Sequence, residues 1–418
     1  MALNAEAFER RLDPELKTPI AVAFSGGGDS LAALLMTKAW ADRHGRSVIA
    51  LSVDHRLQAK SADWTRFAAD VAARVGADFQ ALAWEGDKPG HGLAAAARAA
   101  RHGLIAEAAR RAGARTVVFG HTADDILEAD LMRAEGSHLG ALREWGPSPV
   151  WPDGRGIFLL RPLLRIRRAA IREALRATGE TWIDDPANDD PGSTRARARA
   201  RLKGAADPAP GRDEEDLAAL AGSVEIAPAG YLRVDREALE RAPPSAVRRL
   251  LAAGVLCAGG GERPPRGDRL DRLVQLATGG APFQATLAGA KIIGADSVLL
   301  TRDAGEVRRG GLAPVALPAG VATVWDGRFE LIAARDGLSA RVLAGVMTGL
   351  GPAARQALRA LPAPARAGLP AVVGGDAAPV CPILAGSGLA CAGSVQVRSL
   401  IAARFLAACG AISKEPAT

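Results

Sequence analysis

The stretch IAVAFSGGGDSLAALL, Ile20 to Leu35, constrains the fold more than any other part of the chain. Ile20–Phe24 are apolar and read as a short buried strand. Ser25–Gly28 form a turn without side-chain bulk, and Asp29 and Ser30 stand where a helix should start, before an apolar run that reaches Trp40. A strand, a glycine turn and a helix N-terminus together make an anion site, because free backbone N–H groups and the helix dipole both favour negative charge there. The alternation continues through VIALSVD (Val48–Asp54), a helical pattern from Ser61 to Val75, FQALAW (Phe79–Trp84) and a helical pattern from Leu93 to Ala112. TVVFGH (Thr116–His121), a helix over Ala123–Arg133, IFLLRPLL and a helix over Arg167–Thr178 complete it. Strands spaced by helices of this length predict an α/β fold with a doubly wound parallel sheet. Ligands of such sheets sit at the carboxyl ends of the strands, where Ser25–Ser30, Asp54–His55 and His121–Asp125 would meet.

A Pro/Gly/Ala-rich break, GAADPAPGRDEED (Gly204–Asp216), marks a linker. The 418 residues therefore divide into a catalytic domain over 1–205, a helical middle domain over 206–308 and a small α+β accessory domain over 309–418. The four cysteines, Cys257, Cys381, Cys391 and Cys409, contain no CxxC pair. That disfavours a zinc ribbon or a sulfur-transfer site and fits a reducing cytoplasm. The charged start MALNAEAFERRLDPELK is no signal peptide, and no run of about 18 apolar residues would span a membrane. A net charge of +7 suits a polyanionic partner. On charge alone, a basic enzyme with no nucleic-acid partner is an equally good reading.

SGGGDS is not a Walker A loop, since no Gly-Lys-Ser/Thr follows, and its third dinucleotide-fingerprint position is Leu31. Its glycines let the backbone approach phosphates, its serines add hydroxyl donors, and Asp29 can hold Mg²⁺. In GHTADDILE, Asp125 and Glu128 share one helix face. First-turn acids can simply complement the dipole, but several carboxylates beside a phosphate loop point to a shared cation, Mg²⁺. Arg161, Arg165 and Arg168 line the last helix of the domain, and Arg195, Arg197, Arg199 and Arg201 alternate with small residues. A solvated basic face is the plainer alternative; the position favours phosphates of a large substrate.

In this order the motifs resemble the tRNA(Ile)-lysidine synthase family of PP-loop ATP pyrophosphatases. SGGGDS carries the superfamily likeness; RPLL with Arg161 and Arg168, then WIDDPANDD with Arg195 and Arg199, carry the family likeness. The resemblance implies ATP-dependent attachment of L-lysine to C2 of the wobble cytidine of tRNA(Ile) with anticodon CAU, through an adenylated cytidine. It implies that Ser25, Gly26, Gly27, Gly28, Asp29, Ser30, Asp54, His55 and His121 bind ATP. Asp29, Asp125 and Glu128 are the implied catalytic acids, with Asp29 and Asp125 on Mg²⁺. Arg98, Arg101, Arg161, Arg168, Arg195 and Arg199 would hold the tRNA, and a homodimer is left open. Arg56 stands where the family has glycine, Ile126 and Ala129 replace its Gln and Thr, and an alanine of LAAAARAARH replaces its glutamate. Other readings stay open: another PP-loop enzyme acting on tRNA or a small molecule, or a non-catalytic tRNA-binding paralogue.

Overall fold

The computed structural model describes residues 6–56, 61–136, 140–184, 197–198, 201–202, 213–309, 312–375, 377–387 and 395–417. Two compact units emerge, one formed by residues 1–210 with 412–418, the other by 211–411.

The first unit is built on six strands, β1 (Ile20–Ala23), β2 (Val48–Asp54), β3 (Asp78–Ala83), β4 (Thr116–Phe119), β5 (Trp145–Pro147) and β6 (Phe158–Leu160). They lie in the order β3-β2-β1-β4-β6-β5. All neighbours run parallel except β5 against β6. The expected doubly wound α/β sheet is present, and the antiparallel edge strand is an addition. β5 is three residues long and ends in Pro147, which lacks an N–H for a further ladder and so suits an edge.

Before the linker lie α1 (Glu6–Arg11), α2 (Gly28–His44), α3 (Ser61–Arg74), α4 (Leu93–Arg111), α5 (Ala123–Ala134) and α6 (Arg168–Ala177). On one sheet face, Ala21, Ala23, Val117, Phe119 and Leu159 meet Ile105, Ala106, Ala108 and Ala109 of α4. The alternate residues Ile20, Val22, Val118 and Leu160 are equally buried. Burial on both faces is why these strands read as continuous apolar runs rather than alternating ones. Helix α2 packs on β1 and β4, so its N-terminus is held at the carboxyl edge of the two central strands.

The second unit opens with a five-stranded antiparallel sheet, in spatial order Glu225–Ile226, Leu232–Asp235, Ser297–Arg302, Ala290–Gly294 and Phe283–Leu287. Helices Pro244–Gly259 and Asp268–Thr278 bury Val247, Leu250, Leu251, Leu270 and Leu273 in one core with Leu232, Val234, Ile292 and Leu300. Arg236 caps the second of these helices. Its guanidinium donates to the carbonyls of Leu276 and Ala277 in the last helical turn, which the helix end leaves open, and to those of Gly280 and Ala281 just beyond it, at 2.6–3.1 Å. Two three-stranded sheets follow, sharing a core around Trp325, Phe329, Leu338 and Leu369. Cys257, Cys381 and Cys409 are buried, and Cys391 lies outside the described residues. Among the described residues no helix is long and apolar enough to cross a membrane.

Candidate functional site

The glycine turn links β1 to α2 as its sequence suggests. Gly26 has φ of +82°, a left-handed conformation that glycine adopts without a Cβ penalty. Ser30 Oγ donates to Gly27 O at 2.8 Å, accepts the Ser25 N–H at 3.3 Å and lies 3.2 Å from Ser25 Oγ. The two serine hydroxyls thus close the turn on itself, while the first turn of α2 has no intrahelical acceptor for its amides. At the end of β4, a Cβ on Gly120 would lie 2.4 Å from Asp29 O. Only glycine permits that approach, and it draws the His121–Asp125 loop beside the turn.

Three acids converge on one cation there. Arg168 Nε donates to Asp29 Oδ2 at 2.8 Å, and its two terminal nitrogens lie 3.3 Å from Asp125 Oδ2 and from Glu128 Oε1. Asp125 and Glu128 are buried. The backbone N–H of Arg168 donates to Asp124 at 2.7 Å, and the Arg167 guanidinium pairs with the same carboxylate at 3.1 Å. Burial pushes the Arg168 guanidinium down, but Asp125, Asp29 and Glu128 outweigh it and hold it above its ordinary range. Burial raises the Asp29 carboxyl, with Arg168 opposing. Asp125 has a second task. Its Oδ2 accepts both the Thr122 N–H and the Thr122 hydroxyl at 2.8 Å, which makes it the third residue of a capping box for α5. The Thr-x-x-Asp spacing is legible in the sequence, although catalysis, Mg²⁺ binding or a dipole role, and not a cap, are what is expected of Asp125 there.

His121 and Arg161 form a neighbouring group. Arg161 Nε donates to His121 Nδ1 at 3.2 Å, so that nitrogen carries no proton and the ring is neutral with its proton on Nε2. Burial, then Arg161, hold His121 well below its ordinary range. Arg161 itself is 8% exposed, bonds Arg143 O at 2.7 Å, and is lowered to about 10 by burial and by Arg98. Arg101 lies over the Phe119 ring, at 5.4 Å from its centroid. Phe119 stacks on His102 and on His121. Asp54 ends β2 and accepts the Arg56 N–H at 2.7 Å. Arg56 has φ of +53°, which explains why glycine suits this position. His55 meets Trp84 edge-on at 6.2 Å and is lowered by burial and Arg101. Of the expected site, Asp29, Asp125, Glu128 and Arg168 therefore stand together, as do His121 and Arg161. Arg195 and Arg199 lie outside the described residues. Trp182 and Ile183, which open the WIDDPANDD stretch, pack on the glycine turn, a contact the sequence motif does not itself reveal.

His102 makes the acid side of this unit's stability testable. Burial, with Arg101, Arg98 and Arg161 adding to it, pushes His102 down to about 3. The unfolded chain therefore binds a proton from about pH 6.5 downward that the folded chain refuses, and stability falls as pH drops through that window. Urea unfolding at pH 7 and pH 5 should show that His102→Leu removes on the order of 1 kcal/mol per pH unit of this slope. An unchanged slope would locate the acid sensitivity elsewhere.

A family profile described as a PP-loop domain matches residues 3–205. The chain is 48% identical to the tRNA(Ile)-lysidine synthase of Caulobacter vibrioides over 414 residues, 99% of this chain and 98% of that one. It is 37% identical to the enzyme of that name from Hyphomonas neptunium over 310 residues, covering 68% and 83% of the two chains. With the Brucella anthropi counterpart the identity is 33% over 362 residues, covering 79% and 78%. With a phosphate-type glycine turn, an acid cluster beside it and identity of this extent along nearly the whole chain, the protein belongs to the tRNA(Ile)-lysidine synthase family.

Proposed function

We propose that this enzyme joins L-lysine to C2 of the wobble cytidine of tRNA(Ile) with anticodon CAU, converting ATP to AMP and diphosphate in the cytoplasm. The observation that carries the reading is the meeting of Asp29, Asp125 and Glu128 beside the Ser25–Ser30 turn. In the first step the cytosine O2 forms a bond to the α-phosphorus as the bond to the β-phosphate oxygen breaks. The turn's amides take the negative charge of the departing pyrophosphate, with the serine hydroxyls holding the turn in shape. In the second step the lysine ε-amine attacks C2, AMP leaves, and the amine gives up a proton to a nearby carboxylate or to the departing phosphate. His121, fixed neutral, donates from Nε2 rather than acting as a base. Asp54 and His55 help seat the nucleotide. Arg98, Arg101, Arg195 and Arg199 hold the RNA backbone, whereas Arg161 and Arg168 act from inside the site. The reacting base is splayed out of the anticodon loop to reach it.

Mg²⁺ fits the donor set. Asp29 Oδ1 is buried without a hydrogen-bond partner, and Asp125 and Glu128 add hard oxygens. Among the described residues no group of three or more ligands is arranged around a metal position. Asp29 and Asp125 would hold the cation together with substrate phosphates. When bound, it would offset phosphate charge during transfer. The test incubates the protein with ATP, Mg²⁺, labelled lysine and a tRNA(Ile) transcript carrying CAU, beside one with uridine at the wobble position. Lysine on the cytidine transcript alone, with AMP and diphosphate released, supports the reading. ATP cleavage without incorporation would assign another acceptor, and no cleavage would leave a tRNA-binding protein.

A further inference from the structure

The segment Glu180–Asp184 lies across the glycine turn. The Ile183 backbone N–H donates to Gly26 O at 2.9 Å. Ile183 Cδ1 sits 2.7 Å from where a Cβ on Gly26 would stand, and the Trp182 ring lies 3.4 Å from the same point on Gly28. The segment is held at both ends and in its middle. Arg74 of α3 forks onto Glu180 at 2.6 and 3.0 Å, and Arg172 of α6 pairs with Asp184 at 3.1 Å. Trp182 Nε1 donates to Asp184 Oδ1 at 3.2 Å, and the Arg176 guanidinium lies 5.7 Å from the Trp182 ring centre.

A trans peptide carries its C=O and N–H on opposite sides. With Gly26 C=O turned towards Ile183, the N–H of the same peptide, that of Gly27, is turned away from the strap. Reversing that plane would put a carbonyl oxygen where a phosphate needs a donor. Glycine on both sides of the plane makes such a reversal easy unless something holds it. We propose that Ile183 is a positioning residue for the phosphate turn. Its backbone N–H holds the Gly26–Gly27 peptide in the orientation an anion requires, and Trp182 covers the turn so that phosphate enters from the opposite side. This rests on the reading of Ser25–Ser30 as the pyrophosphate site.

Ile183→Pro removes the donor while keeping an apolar side chain, and Ile183→Val keeps the donor. Calorimetric titration of the full chain with magnesium pyrophosphate reads the effect. The proline variant should bind about ten- to a hundred-fold more weakly, the scale of one amide contact to a charged group, and the valine variant within about two-fold of wild type. The KM for ATP should rise in the same ratio. If circular dichroism shows the proline variant unfolded, an α-hydroxy acid at position 183 deletes the N–H alone and should give the same loss. Wild-type affinity in the folded proline or the hydroxy-acid variant overturns the inference alone. Failure of the wild-type protein to bind pyrophosphate in competition with ATP would overturn the parent reading and this one with it.

Discussion

Asp125→Asn should lower turnover about 100- to 1000-fold, the scale of losing one group that stabilises transition-state charge, while the melting temperature should stay within about 2 °C of wild type. Both halves follow from the geometry. Asp125 Oδ2 is the acceptor for Thr122 N–H and Oγ at the start of α5, and an asparagine oxygen accepts the same two bonds. The amide cannot replace the carboxylate's charge towards Arg168 or a bound cation. Asp125→Ala, by contrast, loses the cap as well, and should unfold about 1 kcal/mol more easily. Comparing the two substitutions separates chemistry from helix capping, which alanine alone confounds. Affinity for tRNA, read by filter binding, should be the same in the asparagine variant and the wild type. A wild-type rate for Asp125→Asn would remove this carboxylate from the reaction.

The elements around this site were largely legible. The strand patterns 48–54 and 116–121 and the helix pattern 61–75 match β2, β4 and α3 to within two residues at their ends. They are readable because a sheet buried on both faces leaves long apolar runs, and the glycine turn interrupts them with a backbone conformation few residues share. Spacing alone also brought Asp125 and Glu128 to one helix face. What could not be read is what depends on distant pairs. Arg168 is expected on the RNA backbone from the family resemblance, and its guanidinium points into three carboxylates contributed by α2 and α5. No local pattern encodes that choice, since it depends on how α2 and α6 pack. The strap at Trp182 and Ile183 is of the same kind. Its main-chain bond to Gly26 joins residues more than 150 positions apart and leaves no side-chain signature.

Glu415→Ala should lower the melting temperature of the first unit by roughly 10 °C, because removing one partner of a buried ion pair costs about 3–5 kcal/mol. The pair is Arg46 with Glu415, at 2.7 and 3.0 Å, and both side chains are 0% exposed. Every donor of Arg46 is engaged, by Thr18 O at 2.9 Å, Thr18 Oγ1 at 3.1 Å, Asp13 O at 3.2 Å and the carboxylate. Thr116 Oγ1 donates to the same carboxylate at 3.1 Å, and Glu415 N–H donates to Arg11 O at 2.7 Å. Trp145 Nε1 on β5 and Arg11 hold the carbonyls of Ile412 and Ser413, at 2.8 and 3.0 Å. The last residues are therefore part of the catalytic unit, although they follow the whole second unit in sequence. With Glu415 gone, a buried guanidinium keeps its charge without a counterion, which is the expensive state. The double variant Arg46→Met with Glu415→Leu removes both charges and should recover most of the loss. Arg46 precedes β2 and Thr116 begins β4, so the pair stands at the amino ends of the strands, away from the glycine turn. The KM for ATP, measured well below the melting transition, should accordingly be unchanged in Glu415→Ala. A shifted KM at unchanged melting temperature would instead make the tail a part of the site.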